Sequence, residues 1–174
     1  LFFVSCTKMD IPPANLLVND DIFTSSNGIA AYFAKMYAAL PLEDFRYSHN
    51  RGWNNERVTH NVGGITGEAV GRDTQMLPAV QWFQEGYSLL RDVNVFIKTL
   101  MEYASYHSEE DMKHWLGEAR MIRAFAYTTM VKRYGGVPIV NEVIEDFELA
   151  ALPRNSEEEV WNTIEEDFQY AIDN

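Results

Sequence analysis

Trp115-Leu116-Gly117-Glu118-Ala119-Arg120-Met121-Ile122-Arg123-Ala124-Phe125-Ala126-Tyr127 runs on to Val131-Lys132-Arg133-Tyr134-Gly135-Gly136-Val137-Pro138. Trp115, Ala119, Ile122, Ala126 and Met130 recur at three- and four-residue steps, one apolar stripe of a helix. Leu116, Arg123, Tyr127 and Tyr134 form an adjacent stripe. Ser108 is placed to cap the start, and Glu109, Glu110 and Asp111 suit the positive end of the helix dipole. Lys132 and Arg133 suit the negative end, Gly135-Gly136 can adopt a left-handed cap, and Pro138 forbids continuation. The spacing predicts a helix over 108–134. Gly117, Ala119, Ala124 and Ala126 leave room for a second helix to approach.

Three more helices follow from the same periodicity. Residues 25–40 carry Ile29, Phe33, Met36, Tyr37 and Leu40 on one stripe, with Ser25 or Ser26 as cap and Pro41 as terminator. Residues 79–106 carry Val80, Phe83, Tyr87, Leu90, Val93 or Asn94, Ile97, and Leu100 or Met101. Asn94 lies close to that stripe, so its amide needs a partner, and a neighbouring backbone is expected to supply it. Ser156-Glu157-Glu158-Glu159 is a capping box ahead of Val160, Trp161, Ile164, Phe168 and Ile172. The acidic residues of this last helix are expected to form a solvated face. Val137–Asn141 is extended in pattern, a candidate strand. The fold class is therefore all-α, with antiparallel helices joined by long irregular loops; Ala, aromatic and Pro positions of the 108–134 helix loosely echo a tetratricopeptide-like helix without a regular period, and tetratricopeptide-like helix pairs are what the family resemblance given below implies.

Composition narrows the function. The chain has 174 residues, 47% of them hydrophobic and 13% aromatic, enough for one domain with a core. A net charge of -12 repels phosphate backbones and anionic lipid, which argues against a nucleic-acid partner. No apolar run approaches the ~18 residues of a membrane span.

The opening Leu1-Phe2-Phe3-Val4-Ser5-Cys6 places a short apolar run and a small residue before the single cysteine. This is the pattern of a bacterial lipobox, with residues 1–5 as the remnant of a signal peptide and Cys6 as the lipidated residue. A buried or frayed cysteine is the alternative. The pattern lacks a charged start, so the reading implies a clipped N-terminus. Residues 6–23, with Pro12-Pro13, read as an extended, lipid-anchored tether, and 24–174 as the helical domain.

Catalytic chemistry finds little support. His49, His60, His107 and His114 fall at no ligand spacing, so no metal is expected, nor any cofactor. His107 and His114 are expected to be solvated near a helix start. Glu118 is the best single carboxylate for glycoside hydrolysis. Beside arginines it reads better as a structural ion pair with Arg120, Arg123 or a neighbouring helix. Gly63-Gly64-Ile65-Thr66-Gly67 has no Lys-Ser/Thr after it, and no Gly-x-Ser-x-Gly elbow occurs. No catalytic residue is assigned.

Binding remains. Residues 41–78 are broken by glycine and asparagine, yet hold Phe45, Arg46, Tyr47, Arg51 and Trp53. A long loop rich in aromatics is not simple disorder. Tyr47, Arg51, Trp53, Asn54 and Asn55 combine ring faces with amide and guanidinium groups, the mixture that stacks on a pyranose and bonds its hydroxyls. The alternative is that Tyr47 and Trp53 pin the loop to the core.

Gly117–Tyr127, Tyr134-Gly135-Gly136-Val137-Pro138, Pro153-Arg154-Asn155-Ser156, Glu166-Asp167-Phe168 and Asn94-Val95-Phe96-Ile97 together resemble the SusD/RagB family. The resemblance implies a surface-exposed outer-membrane lipoprotein of Bacteroidota-type bacteria. It implies glycan or, in some members, peptide binding, a SusC-type TonB-dependent transporter as partner, and no enzymatic activity. It places the lipid on Cys6 and implies a further C-terminal part, since members are longer. No binding residue transfers by motif. The expectation is an oligosaccharide-binding subunit of a nutrient uptake system. Alternatives are a peptide-binding member, a carbohydrate-active hydrolase, or a cytosolic helical adaptor.

Overall fold

The computed structural model describes residues 19–40, 79–144 and 152–174. Five helices occur in these segments. They are α1 (Asn19–Phe23), α2 (Ser26–Ala38), α3 (Ala79–Glu102), α4 (Glu109–Tyr134) and α5 (Glu157–Asp173), with a 3-10 turn at Ala104–Tyr106 between α3 and α4. The fold class is all-α, as expected from the periodicity.

The predicted caps form. Ser25 Oγ accepts from Gly28 N at 3.1 Å, and Ser108 Oγ accepts from Asp111 N at 3.1 Å. Ser156 Oγ accepts from Glu159 N at 3.2 Å, while Glu159 Oε2 accepts from Ser156 N at 2.7 Å, completing the capping box. These bonds to Ser156 hold the Glu159 carboxyl below its ordinary value.

α4 is the central element. Its whole predicted stripe is buried, from Trp115 through Ala119, Ile122 and Ala126 to Met130. Small residues set its distances to both neighbours. A Cβ on Gly86 of α3 would lie 2.5 Å from Met130 Sδ, and one on Gly117 would lie 3.5 Å from Ala171 Cα of α5. Early α3 thus meets late α4, and early α4 meets late α5, so both pairs are antiparallel.

On the other side, α1 and α2 deliver an aromatic cluster onto α3. Phe23 lies 5.6 Å from both Tyr32 and Phe96, and Phe96 lies 4.8 Å from Phe33. Such tilted pairs add to the area burial of the rings themselves. Lys35 and Asp92 pair at 3.0 Å on the rim.

Some expectations change. Residues 19–23, within the segment read as an extended tether, form α1, and Phe23 is 1% exposed in the core. Val137–Asn141 is extended but is not a strand, and no strand occurs among the described residues. The carbonyls of Pro138, Val140 and Asn141 are taken by side chains in place of a ladder. On α3 the buried face is Leu89, Leu90, Val93, Asn94, Phe96 and Leu100, whereas Phe83 and Met101 are exposed. His107 is half-buried rather than solvated. Its Nε2 donates to Phe23 O at 2.7 Å, and its ring stands edge-on to Trp115 at 4.8 Å. His114 is exposed, as expected.

Candidate functional site

Cys6, Tyr47, Arg51, Trp53, Asn54 and Asn55 lie outside the described residues. What the structure describes is the frame those segments join, and its centre is polar. Arg123 of α4 donates from Nε to Asp167 Oδ2 and from Nη2 to Asp167 Oδ1, each at 2.7 Å. Its Nη1 donates to Asn94 Oδ1 and to Asn141 O, each at 3.3 Å. Asn94 Nδ2 in turn donates to Val140 O at 2.9 Å and Glu142 O at 3.2 Å. Tyr127 Oη accepts from Val140 N at 2.7 Å and donates to Val140 O at 3.1 Å.

Side chains from α3 and α4 therefore bond one extended segment, and Asp167 of α5 holds the Arg123 among them. Arg123, Asp167 and Asn94 are 6%, 2% and 3% exposed, and Tyr127 is fully buried. The bidentate fork matches guanidinium to carboxylate. A buried ion pair contributes little net stability over an apolar isostere, but its geometry admits one arrangement. Here it fixes the register of α5 on α4 and the path of residues 140–142. With both carboxylate oxygens bonded and the cluster sealed from solvent, it has no face for a ligand. The arrangement is a strut, not a binding or catalytic centre.

This strut corrects two expectations. Asp167 does not belong to a solvated acidic face, although Glu165 and Glu166 do. Glu118 does not pair with Arg123. It accepts a hydrogen bond from Tyr37 of α2, and His114 Nε2 lies 4.0 Å from its Oε2. Arg120 stacks 4.0 Å over the Tyr170 ring. The signal for the pair was present: Arg123 sits beside the apolar stripe of α4, and Asp167 falls seven residues after Val160 and three after Ile164 on that of α5. Opposite charges on two facing apolar stripes point to each other.

A second interlock closes the end of α4. Gly135 has φ 68° and ψ -138°, a backbone that side chains disfavour. Arg154 donates from Nε to Gly136 O at 2.8 Å and from Nη2 to Tyr134 O. Asn155 Oδ1 accepts from Ile139 N at 3.0 Å, and Tyr87 Oη donates to Pro138 O at 2.5 Å. The Gly-Gly-Val-Pro and Pro-Arg-Asn-Ser stretches are thus two halves of one clasp.

Burial leaves a mark on the tyrosines. It pushes the Tyr127 phenol up to about 12, with bonding to Val140 and the Arg123 charge opposing, and raises Tyr87 as well. Tyr37 is pushed up to about 12 by burial and by its bond to Glu118, and Tyr103 to about 12 by its bond to Asp20. A raised folded value contributes stability that is complete below the unfolded value near 10 and lost as pH rises through about 12. Tyrosinate absorbance at 295 nm should therefore show a late fraction, ionising only with alkaline unfolding. In strong denaturant all tyrosines should titrate together near 10. A single folded-state transition near 10 would contradict this.

Among the described residues, no group of three His, Cys, Asp or Glu could hold a metal ion, and no helix is long and apolar enough to cross a membrane.

Residues 23–174 match the SusD-like family model described as "Starch-binding associating with outer membrane". A SusD-like protein P38 of Formosa agariphila is 34% identical over 96 residues, covering 55% of this chain and 18% of its own. A SusD-like protein of Bacteroides ovatus is 25% identical over 194 aligned residues, covering all of this chain and 33% of its own. The chain thus spans a third or less of these relatives. Among solved structures, a SusD-like protein of Bacteroides fragilis superimposes with a TM-score of 0.61 at 21% identity, over 88% of this chain and 30% of that one. That likeness concerns the fold alone. With a family match running from Phe23 to the last residue, the chain belongs to the SusD-like (SusD/RagB) family.

Proposed function

We propose that this chain belongs to a cell-surface, glycan-binding subunit of a SusC/SusD-type TonB-dependent uptake system. The observation that carries the reading is the family match over residues 23–174, whose description joins starch binding to the outer membrane. Cys6 carries the lipid anchor. Tyr47, Arg51, Trp53, Asn54 and Asn55 contact an oligosaccharide by stacking and hydrogen bonding, and no bond is broken. The two helices that flank this segment, α2 and α3, bury apolar faces in one core. The partner is a SusC-type transporter.

Trp53→Ala tests the loop assignment. Retention in native gels containing soluble polysaccharide should fall by roughly tenfold, the loss of one good ring contact. The thermal transition should stay within ~1 °C. Unchanged retention, or a lowered transition, would return Trp53 to a loop-pinning role. Release of reducing ends by the purified protein would instead favour the hydrolase alternative.

A further inference from the structure

We infer that α1 is a releasable strap, a device independent of what the protein binds: residues 19–24 leave the domain as a unit, about a hinge at Ser25, while α2 to α5 stay folded. The strap is fastened at one place. Phe23 is the one buried residue of α1, and its ring lies 5.6, 5.6 and 5.8 Å from Tyr32, Phe96 and Tyr103. Two bonds close over it from the turn between α3 and α4. His107 Nε2 donates to Phe23 O at 2.7 Å, and Tyr103 Oη donates to Asp20 Oδ1. Thr24 stays with α1, donating to Asp20 O from Oγ1 at 2.6 Å and from N at 3.3 Å.

The chain divides at the next residue. Ser25 is extended, with φ -136° and ψ 142°, and serves α2: its Oγ accepts from Gly28 N and its carbonyl from Ile29 N. α2 has its own hold on the body, through buried Ile29, Phe33 and Met36 and the Phe33–Phe96 contact. Few buried apolar contacts and solvent-exposed hydrogen bonds mark the segments that open first. α1 has both, one buried ring and exposed bonds at Asp20, whereas the Arg123–Asp167 fork is buried. Release frees six residues, roughly 20 Å of extended chain. A pull on the chain ahead of Asn19 is therefore met by the strap before it reaches α2. Gly28 is what lets the strap close. A Cβ there would lie 2.2 Å from Ile22 O, 2.6 Å from Ile22 Cα and 2.8 Å from Ile22 C, all backbone atoms that cannot rotate aside. Alanine is otherwise the better helix former within α2, so Gly28→Ala should evict α1 without weakening α2.

Amide exchange and backbone chemical shifts, read by NMR, test this. In wild type, the amides of residues 23 and 24 should exchange more slowly than in a free peptide, yet roughly 100-fold or more faster than Val140 N, which bonds to Tyr127 Oη, and with little dependence on sub-denaturing urea. Gly28→Ala should move the Cα shifts of residues 19–23 from helical to coil values, while the shifts of α3 to α5 and the exchange of Val140 hold. Phe23→Ala should give the same release by removing the one buried ring. Wild-type exchange at residues 23 and 24 that matches Val140 in rate and urea dependence overturns the inference, because α1 would then open only with the whole domain. Helical shifts that persist at residues 19–23 in both variants overturn it as well, since neither the ring nor the close approach at Gly28 would be the fastening. Loss of the α3 to α5 shifts along with those of α1 in Gly28→Ala also overturns it, making α1 an integral part of the core.

Discussion

Asp167→Ala should lose about 3–5 kcal/mol of unfolding free energy in urea at neutral pH. The reason lies in what stays behind. Arg123 is 6% exposed and cannot shed its proton, so its charge remains buried after its partner is gone. Both 2.7 Å bonds vanish together. The residual contacts from Nη1, to Asn94 and Asn141, are longer and neutral. Total stability for a domain of this size is about 5–15 kcal/mol, so the variant should be measured near 10 °C, where a marginal fold persists. The double variant Arg123→Met with Asp167→Leu should recover most of the loss, because a well-packed apolar pair removes both desolvation costs. A loss under about 1 kcal/mol for Asp167→Ala would mean that water reaches the guanidinium and that the strut is not sealed.

The double variant also separates stability from positioning. It restores burial but leaves Asn94 Oδ1 and Asn141 O without their Arg123 donor. Residues 140–142 would then be held only by Asn94 Nδ2 and Tyr127. Amide exchange at Val140, whose N–H bonds to Tyr127, should still be slow.

The helices were legible because each writes its period and its caps locally. Ser108, Ser156 with Glu159, and the Gly135-Gly136 stop all act within a few residues of where they stand. Asn94 was legible too, because an amide close to an apolar stripe demands a partner, and Val140 O and Glu142 O answer. Asp167 was misread because charge on a helix is normally solvated, and only its phase relative to Val160 and Ile164 says otherwise. Its partner lies 44 residues away, beyond the reach of local pattern. The short strand expected at 137–141 failed for a related reason. Extended backbone needs partners, but side chains from α3 and α4 supply them as well as a ladder would. The candidate binding residues at 47–55 rest on composition alone, since a loop has no period to read.

Gly136→Ala should cost about 2–4 kcal/mol, although it adds one carbon. That carbon would lie 1.9 Å from Asn155 O and 2.9 Å from Ser156 C, both backbone atoms that cannot rotate aside. Relief requires moving residues 155–156 off the end of α4. That movement opens the Arg154 bonds to Gly136 and Tyr134 and the Ile139 N bond to Asn155. It also shifts Ser156, the cap of α5, so the register that Arg123 and Asp167 hold would be strained from its other end. Gly135→Ala offers the contrast. Its new carbon meets only Glu157 Oε2, at 3.7 Å, so its penalty comes from φ 68° alone, about 1–3 kcal/mol. Arg154→Ala, which removes exposed bonds without displacing backbone, should cost only ~1 kcal/mol. Gly136→Ala combined with Arg154→Ala should then lose less than the sum of the two, because the first already breaks what the second removes. Additive losses would show that the chain accommodates the new carbon without opening the clasp, and that the Gly-Gly-Val-Pro and Pro-Arg-Asn-Ser stretches stabilise α4 and α5 independently.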